Sequence, residues 1–499
     1  MTGNAVGAVP NQDSLDPADW TALRSQGHRM LDDMFDYLAT LRERPVWQPA
    51  PDAVRGRFSQ DLPRGASDLG EIHARFMSEI LPYGVGNVHP GFMGWVQGGG
   101  TAVGMLAETL AAGRNANVGG RNQIPLEVER QITRWMRDLF GFPESASGVF
   151  VTGTSMANLI GVLVASRARL GAPVRSKGLA AQAQRLVAYT SVSAHGCVSP
   201  AMDLSGLGTD ALRLIPIGAD FRMQPQALRA AIAADRQAGC TPFLIVGSAG
   251  TVDVGAVDPL SELADIARQE GMWLHVDGAF GAMAMLSPEL APKLAGIERA
   301  DSIAFDFHKW VQVPYDAGFV LVRDGQQHLD TFAADAAYLK RETRGIAGDS
   351  PWPCDFGPDL SRGFRALKTW FTLQVYGADR LGEVIANSCR VARHLAARVQ
   401  AEPELELLAP VDLNIVCFRY CPADLGGQAD RLNGDIVVAL HESGVAAPST
   451  TTVNGKLAIR AAIVNHRTGP ADVDRLADAV LALGRRMTAE TRMAAESNS

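Results

Sequence analysis

Trp273-Leu274-His275-Val276-Asp277-Gly278-Ala279-Phe280-Gly281 is the stretch that decides the fold of this chain. An apolar run ends in a carboxylate and passes into small residues, the pattern of a buried strand entering a tight turn. In an open α/β sheet the carboxyl ends of the strands face the ligand crevice, so Asp277 points at whatever binds there. A half-buried carboxylate needs a cationic partner. The competing reading is that Asp277 only caps the segment after it, and the stretch alone leaves both open.

Short apolar runs at 149–151, 186–190, 212–217, 243–247, 302–305 and 319–322 repeat the same texture. Amphipathic segments such as 225–234 and 259–270 lie between them. Strands alternating with helices predict an α/β domain with a mostly parallel seven-stranded sheet over residues 100–378. Residues 1–99 are helical in pattern, with Trp20, Leu23, Met30, Met34 and Leu38 at helix-like intervals after an Asp16-Pro17 start signal. The Pro- and Arg-rich tract 44–63 reads as an extended connector. Over 379–486 a long helical segment precedes runs at 415–418, 435–443 and 457–464, which predicts a small α+β domain. The polar tail 487–499 is expected to be disordered.

Charge and composition exclude several classes of function. Against 54 acidic residues stand 46 basic ones, mixed along the chain, for a net charge of −8. With no basic block, nucleic acid and anionic membrane are not expected partners. No run of about 18 apolar residues predicts a membrane span. Residues 1–10 lack both Lys or Arg and an apolar run suited to a secretory signal. Cys197, Cys240, Cys354, Cys389, Cys417 and Cys421 form no C-x-x-C pair and have no His partners at metal-site spacing. Scattered thiols fit a reducing cytoplasm, with no disulfide framework and no metal.

Three further segments carry chemistry. In Asp301-Ser302-Ile303-Ala304-Phe305-Asp306-Phe307-His308-Lys309-Trp310 a lysine follows a strand end in apolar surroundings. Desolvation makes such an amine a better nucleophile for an aldehyde, although a lysine snorkelling outward is the commoner case. In 148–159, a strand, then Gly153, Thr154 and Ser155, then a helix, make a cradle for an anion at a helix N-terminus. The spacing matches neither a Walker loop nor G-x-G-x-x-G, which counts against a nucleotide. His195, just past the run at 186–190, could stack on a flat ring or be an ordinary loop histidine. Each signal alone is weak; together they place an amine, a carboxylate, an anion cradle and a stacking group at one sheet edge.

In that order, Gly153-Thr154-Ser155-Met156-Ala157-Asn158, His195, His275-Val276-Asp277-Gly278-Ala279 and His308-Lys309-Trp310 resemble the group II pyridoxal-phosphate-dependent decarboxylases. This is the family of the aromatic amino acid, glutamate and histidine decarboxylases, and the resemblance runs from about residue 60 to 480. It implies the aspartate-aminotransferase-type fold (fold type I), an amino acid substrate, and a homodimer with active sites at the interface, to which residues 1–99 contribute. It implies that Lys309 carries pyridoxal 5′-phosphate as an internal aldimine and that Asp277 holds the pyridine nitrogen. His195 would stack on the ring, Ala279 would touch its other face, and Thr154, Ser155 and His308 would bind the phosphate, with Gly153 and Asp306 beside them. Tyr338 matches the family's mobile-loop tyrosine, the donor of a proton to Cα after carbon dioxide leaves. Arg467 matches a C-terminal position that could hold a substrate carboxylate or the loop, with a surface salt bridge as the alternative.

The chain also departs from the family. Asp306-Phe307 stands where many relatives have Asn-Pro, and Val252 replaces a second hydroxyl near the cofactor. Trp95, in His89-Pro90-Gly91-Phe92-Met93-Gly94-Trp95, is a candidate substrate contact. Where aromatic-specific relatives place bulky rings, this chain has a Gly-rich loop with Arg121, which could select an acidic substrate or tie a loop to the partner subunit. The expected reaction is decarboxylation of an L-amino acid to an amine. The alternatives are aldehyde formation, transamination and carbon–carbon lysis; aldehyde-forming relatives tend to replace the loop tyrosine, so Tyr338 favours the amine.

Overall fold

The computed structural model describes residues 14–333, 342–423 and 426–497. In chain order its strands are β1 (Phe92–Met93), β2 (Ser147–Val151), β3 (Arg185–Ser191), β4 (Leu212–Ile215), β5 (Cys240–Ser248), β6 (Trp273–Asp277), β7 (Ser302–Asp306), β8 (Gly318–Val322), β9 (Leu405–Leu407), β10 (Ile415–Tyr420), β11 (Ala447–Val453) and β12 (Lys456–Ala462). β2 to β8 form one sheet in the order β2-β8-β7-β6-β5-β3-β4. The pairs β3–β4, β3–β5, β5–β6 and β6–β7 are parallel, while β8 runs antiparallel to both β2 and β7. A mostly parallel sheet is covered on both faces, so its strands are apolar throughout rather than alternating. β5 shows this, buried along almost its whole length.

The helix Thr154–Leu170 explains how this sheet presents a site. It is apolar nearly all round and therefore buried. Ile160 and Val164 pack with Val149, Val151, Ala304 and Val320. Val162 and Ala165 pack with Leu186, Ala188, Phe243 and Val246. Because the helix begins directly after β2, its first turn stands at the carboxyl edge of the sheet.

Several boundaries differ from expectation. The run 212–217 stops pairing at Ile215, since Pro216 has no N–H to donate, and Ile217 makes only an isolated bridge to Met223. The first long helix, Trp20–Ala39, is capped by Asp19, whose Oδ1 accepts the N–H groups of Thr21 and Ala22 at 2.8 and 3.0 Å, rather than starting at Asp16-Pro17. The connector 44–63 contains one helical turn, Asp52–Gly56.

The second sheet has the order β1-β11-β12-β10-β9. β1 comes from the N-terminal segment and pairs in parallel with β11 through Phe92↔Ala447 and Met93↔Pro448. The same segment is tied down where the Val46 N–H donates to the Gly444 carbonyl at 2.9 Å and Arg42 meets Asp472 at 2.7 Å. The stretch after 487, expected to be disordered, instead continues one helix from Pro470 to Ser497. Ala, Arg, Met and Glu are strong helix formers, and no Gly or Pro follows Gly484, so the polarity there marks a solvated helix. Among the described residues, no helix is long and apolar enough to cross a membrane, no His, Cys, Asp and Glu group could hold a metal ion, and Cys197, Cys240, Cys389, Cys417 and Cys421 are free thiols.

Candidate active site

The carboxyl ends of β2, β3, β5, β6 and β7 open on one cavity of about 390 Å³. Gly153, Thr154, Ser155, His195, Asp277, Ala279, Asp306, His308 and Lys309 all line it, and Trp95 enters from the segment after β1. The sheet edge thus brings together every anion-cradle, ring and amine candidate read from the sequence.

Lys309 follows β7, and its Nζ lies 2.8 Å from Asp306 Oδ2. The Asp306 side chain is 2% exposed, so the pair is largely screened from water. Its other oxygen accepts the Thr154 N–H at 2.8 Å. One of the N–H groups expected to face an anion is therefore already engaged. The Thr154 hydroxyl, by contrast, is buried and has no hydrogen-bond partner. A buried hydroxyl at a helix start with nothing to bond is what an incoming phosphate oxygen would satisfy. His308 accepts the Ala317 N–H on Nδ1 at 2.9 Å, which leaves Nε2 on the side of Asp306. Burial holds the His308 imidazole below its usual pKa, and its ring leans on Tyr315 with centroids 4.2 Å apart.

Asp277 ends β6. Its Oδ1 accepts the Ala279 N–H at 3.1 Å, and its Oδ2 accepts Asn158 Nδ2 at 2.9 Å. The Cys197 thiol stands 3.9 Å from the same Oδ2. Burial, helped by the Asp277 charge, pushes that thiol up to about 12, so it stays protonated. His195 accepts the Cys197 N–H on Nδ1 at 3.2 Å, which fixes the ring within the cavity wall.

Two expected substrate contacts lie elsewhere. Arg121 does not line the cavity; its guanidinium stacks 4.7 Å over the Trp352 ring, which holds the Gly-rich loop in place. Arg467 does not line it either, and donates to the Gly99 carbonyl at 3.1 Å. Tyr338 lies outside the described residues.

Sequence reading missed Arg460, on β12, which is 3% exposed and lines the cavity. It donates to the Gly94 carbonyl at 2.7 Å, to Ser449 Oγ at 3.2 Å and to the Val252 carbonyl at 2.9 Å. An arginine set within the apolar run 457–462 is the signal that could have found it. Asn158 closes the Gly153–Asn158 motif, but only the fold reveals that it holds Asp277.

Residues 51–421 match the family described as the pyridoxal-dependent decarboxylase conserved domain. An aromatic-L-amino-acid decarboxylase of Bacillus atrophaeus is 33% identical over 454 residues, 89% of this chain and 92% of that one. A phenylacetaldehyde synthase of Arabidopsis thaliana is 28% identical, over 90% of this chain and 93% of that protein. The crystal structure of Oryza sativa TDC with PLP and tryptamine superposes with a TM-score of 0.86 at 25% identity, covering 95% of this chain and all of that one. Family match, aspartate-aminotransferase-type fold and cavity agree: the chain belongs to the pyridoxal-dependent decarboxylases, enzymes that use pyridoxal 5′-phosphate.

Proposed function

We propose that this enzyme decarboxylates an aromatic L-amino acid to the corresponding amine and carbon dioxide. The observation that carries the reading is one cavity holding both the Lys309 amine, against Asp306, and the Asp277 carboxylate. Lys309 Nζ would hold the cofactor aldehyde carbon, Asp277 the protonated ring nitrogen, and His195 and Ala279 the two ring faces. Thr154, Ser155 and His308 would bind the phosphate; the partnerless Thr154 hydroxyl supports that fit. Bound there, pyridoxal 5′-phosphate supplies an electron sink for the carbon–carbon bond that breaks. Asp306, 2.8 Å from Lys309 Nζ, would orient that nitrogen, and Tyr338 would donate the proton that Cα takes up. That step argues for the amine over the aldehyde named for the Arabidopsis relative.

Two features support an aromatic side chain over an acidic one. Trp95, Phe280 and Tyr315 line the cavity. The Arg460 guanidinium is engaged by protein acceptors, which leaves it poorly placed to take a substrate carboxylate. The enzyme would work as a homodimer in the cytoplasm: Trp20 on the first long helix and Leu106 and Leu110 on Ala102–Arg114 are exposed apolar side chains that a second copy would cover. A panel of amino acids with products identified by mass tests the reaction. The expected result is amine from an aromatic substrate and none from Asp or Glu. Aldehyde with hydrogen peroxide, or amine from an acidic substrate alone, would overturn it.

A further inference from the structure

Behind Asp277 a line of polar side chains runs into the apolar core. Asn158 Nδ2 donates to Asp277 Oδ2 at 2.9 Å. Asn158 Oδ1 faces His275 Nε2 at 2.8 Å, and His275 Nδ1 faces Ser302 Oγ at 2.7 Å. At the far end Trp273 Nε1 donates to Ser302 Oγ at 2.8 Å. Asn158 is 1% exposed, and His275 and Ser302 are fully buried. They arrive from three elements, the helix Thr154–Leu170, β6 and β7. Polar groups in such a place are costly unless every one is paired.

The chain has a sense, and its Asp277 end sets it, where the Asn158 amide turns its N–H to the carboxylate oxygen. An indole N–H can only donate. Ser302 Oγ accepts that bond and keeps its own hydrogen for His275 Nδ1. The imidazole then carries its proton on Nε2 and donates to Asn158 Oδ1. That bond in turn aims the Asn158 amide N–H at Asp277. Reversing any link would bring the Asn158 oxygen against a carboxylate oxygen. Burial lowers the His275 pKa to about 4, which keeps the ring in the neutral form this sense requires. Room for the ring is made by Gly161, where a Cβ would lie 2.6 Å from the His275 Cε1.

We propose that Trp273, Ser302, His275 and Asn158 form a one-way hydrogen-bond relay that orients Asp277 and keeps it an acceptor toward the cofactor ring. Asn158, His275 and Ser302 are positioning residues, acting through Asp277. The proposal rests on the assignment of Asp277 to the ring nitrogen.

The test uses the full-length holoenzyme and the variants Asn158→Asp, Ser302→Ala and Trp273→Phe, each close in shape to the residue replaced. Three quantities are measured: the dissociation constant for pyridoxal 5′-phosphate, the pH midpoint of the bound cofactor's visible absorbance, and the thermal midpoint. Ser302→Ala is expected to weaken cofactor binding by about tenfold, the worth of one buried hydrogen bond left unmade, and to move the pH midpoint. Asn158→Asp, which sets a second carboxyl against Asp277, should do so more strongly, and Trp273→Phe less. If Ser302→Ala and Trp273→Phe keep the wild-type dissociation constant and pH midpoint, the relay is only scaffolding, whatever happens to the melting temperature. Wild-type protein that shows no visible band at all would instead remove the cofactor assignment beneath it.

Discussion

The ε-nitrogen of Lys309 sits 2.8 Å from Oδ2 of Asp306, three residues earlier at the end of β7. That carboxylate has a second partner, since its Oδ1 also accepts the Thr154 N–H at 2.8 Å. Removing it strands both a backbone donor and an ammonium group. Asp306→Ala should therefore destabilise the enzyme by about 1–3 kcal/mol, measured by urea unfolding, and slow cofactor loading. Asp306→Asn retains an acceptor for Thr154, so it should recover most of the stability while its turnover stays depressed. Equal stability losses for both variants would show that the Thr154 bond is not what Asp306 contributes.

A second prediction concerns the foundation of the anion cradle. Arg362 and Glu129 form an ion pair with side chains 2% and 3% exposed, bonded at 2.7 Å. Arg362 also donates to the Phe150 carbonyl at 2.7 Å, and Glu129 accepts the Phe150 N–H at 3.1 Å, so the pair clamps β2 just ahead of Gly153. Leaving one of two buried charges alone costs about 3–5 kcal/mol. Arg362→Ala should lose that much in chemical denaturation, and Arg362→Lys should not rescue it, because one ammonium cannot reproduce the forked geometry. A loss under about 1 kcal/mol would mean that the pair behaves as a surface bridge.

What the sequence made legible follows from how each feature is encoded. A sheet covered on both faces demands unbroken apolar runs, and Asp277 and Lys309 stand directly after two of them, so strands and key residues could be read locally. β11 escaped because Thr450, Thr451 and Thr452 make it polar and partly exposed. Non-local pairing is invisible in the same way. Asn158 meets Asp277 across 119 positions, and Arg460 reaches Gly94 across 366. Arg121 is hard to place for a related reason: its position is decided by Trp352, far along the chain, and by its own left-handed backbone at φ 81°. In the tail, polarity points to disorder while helix propensity points the other way, and propensity prevails.

Trp95 offers a third test. It lines the cavity yet is 54% exposed, with Phe92 beside it at 6.1 Å between centroids. A residue that grips the substrate side chain without touching the reacting atoms contributes equally to ground state and transition state. Trp95→Ala should raise KM by about tenfold while kcat stays within about twofold. A fall in kcat with KM unchanged would put Trp95 near the reacting carbon instead.

The last prediction is a pH dependence of stability. Burial holds His275 at about 4, His328 at about 3 and His466 at about 4, each below the 6.5 of a free imidazole. Between pH 6.5 and 4 the unfolded chain takes up protons at these sites and the folded chain does not. Stability therefore falls as the solution is acidified through that window, each imidazole contributing up to about 1.4 kcal/mol for every pH step of one. Asp258 acts in the opposite direction. Burial raises it to about 6 although it accepts the Met223 and Ser248 N–H groups, so the folded chain gains a proton first as pH falls. Burial also lowers His89 and His308 and raises Asp301, so five imidazoles outweigh two carboxyls, and the thermal midpoint should be level above pH 7 and drop steadily from 6.5 to 4. His466→Gln, which keeps a donor for the Gly100 carbonyl now bonded at 3.1 Å, should make that drop shallower. A midpoint that holds constant down to pH 4.5 would mean the histidines find protons, or solvent, in the folded state.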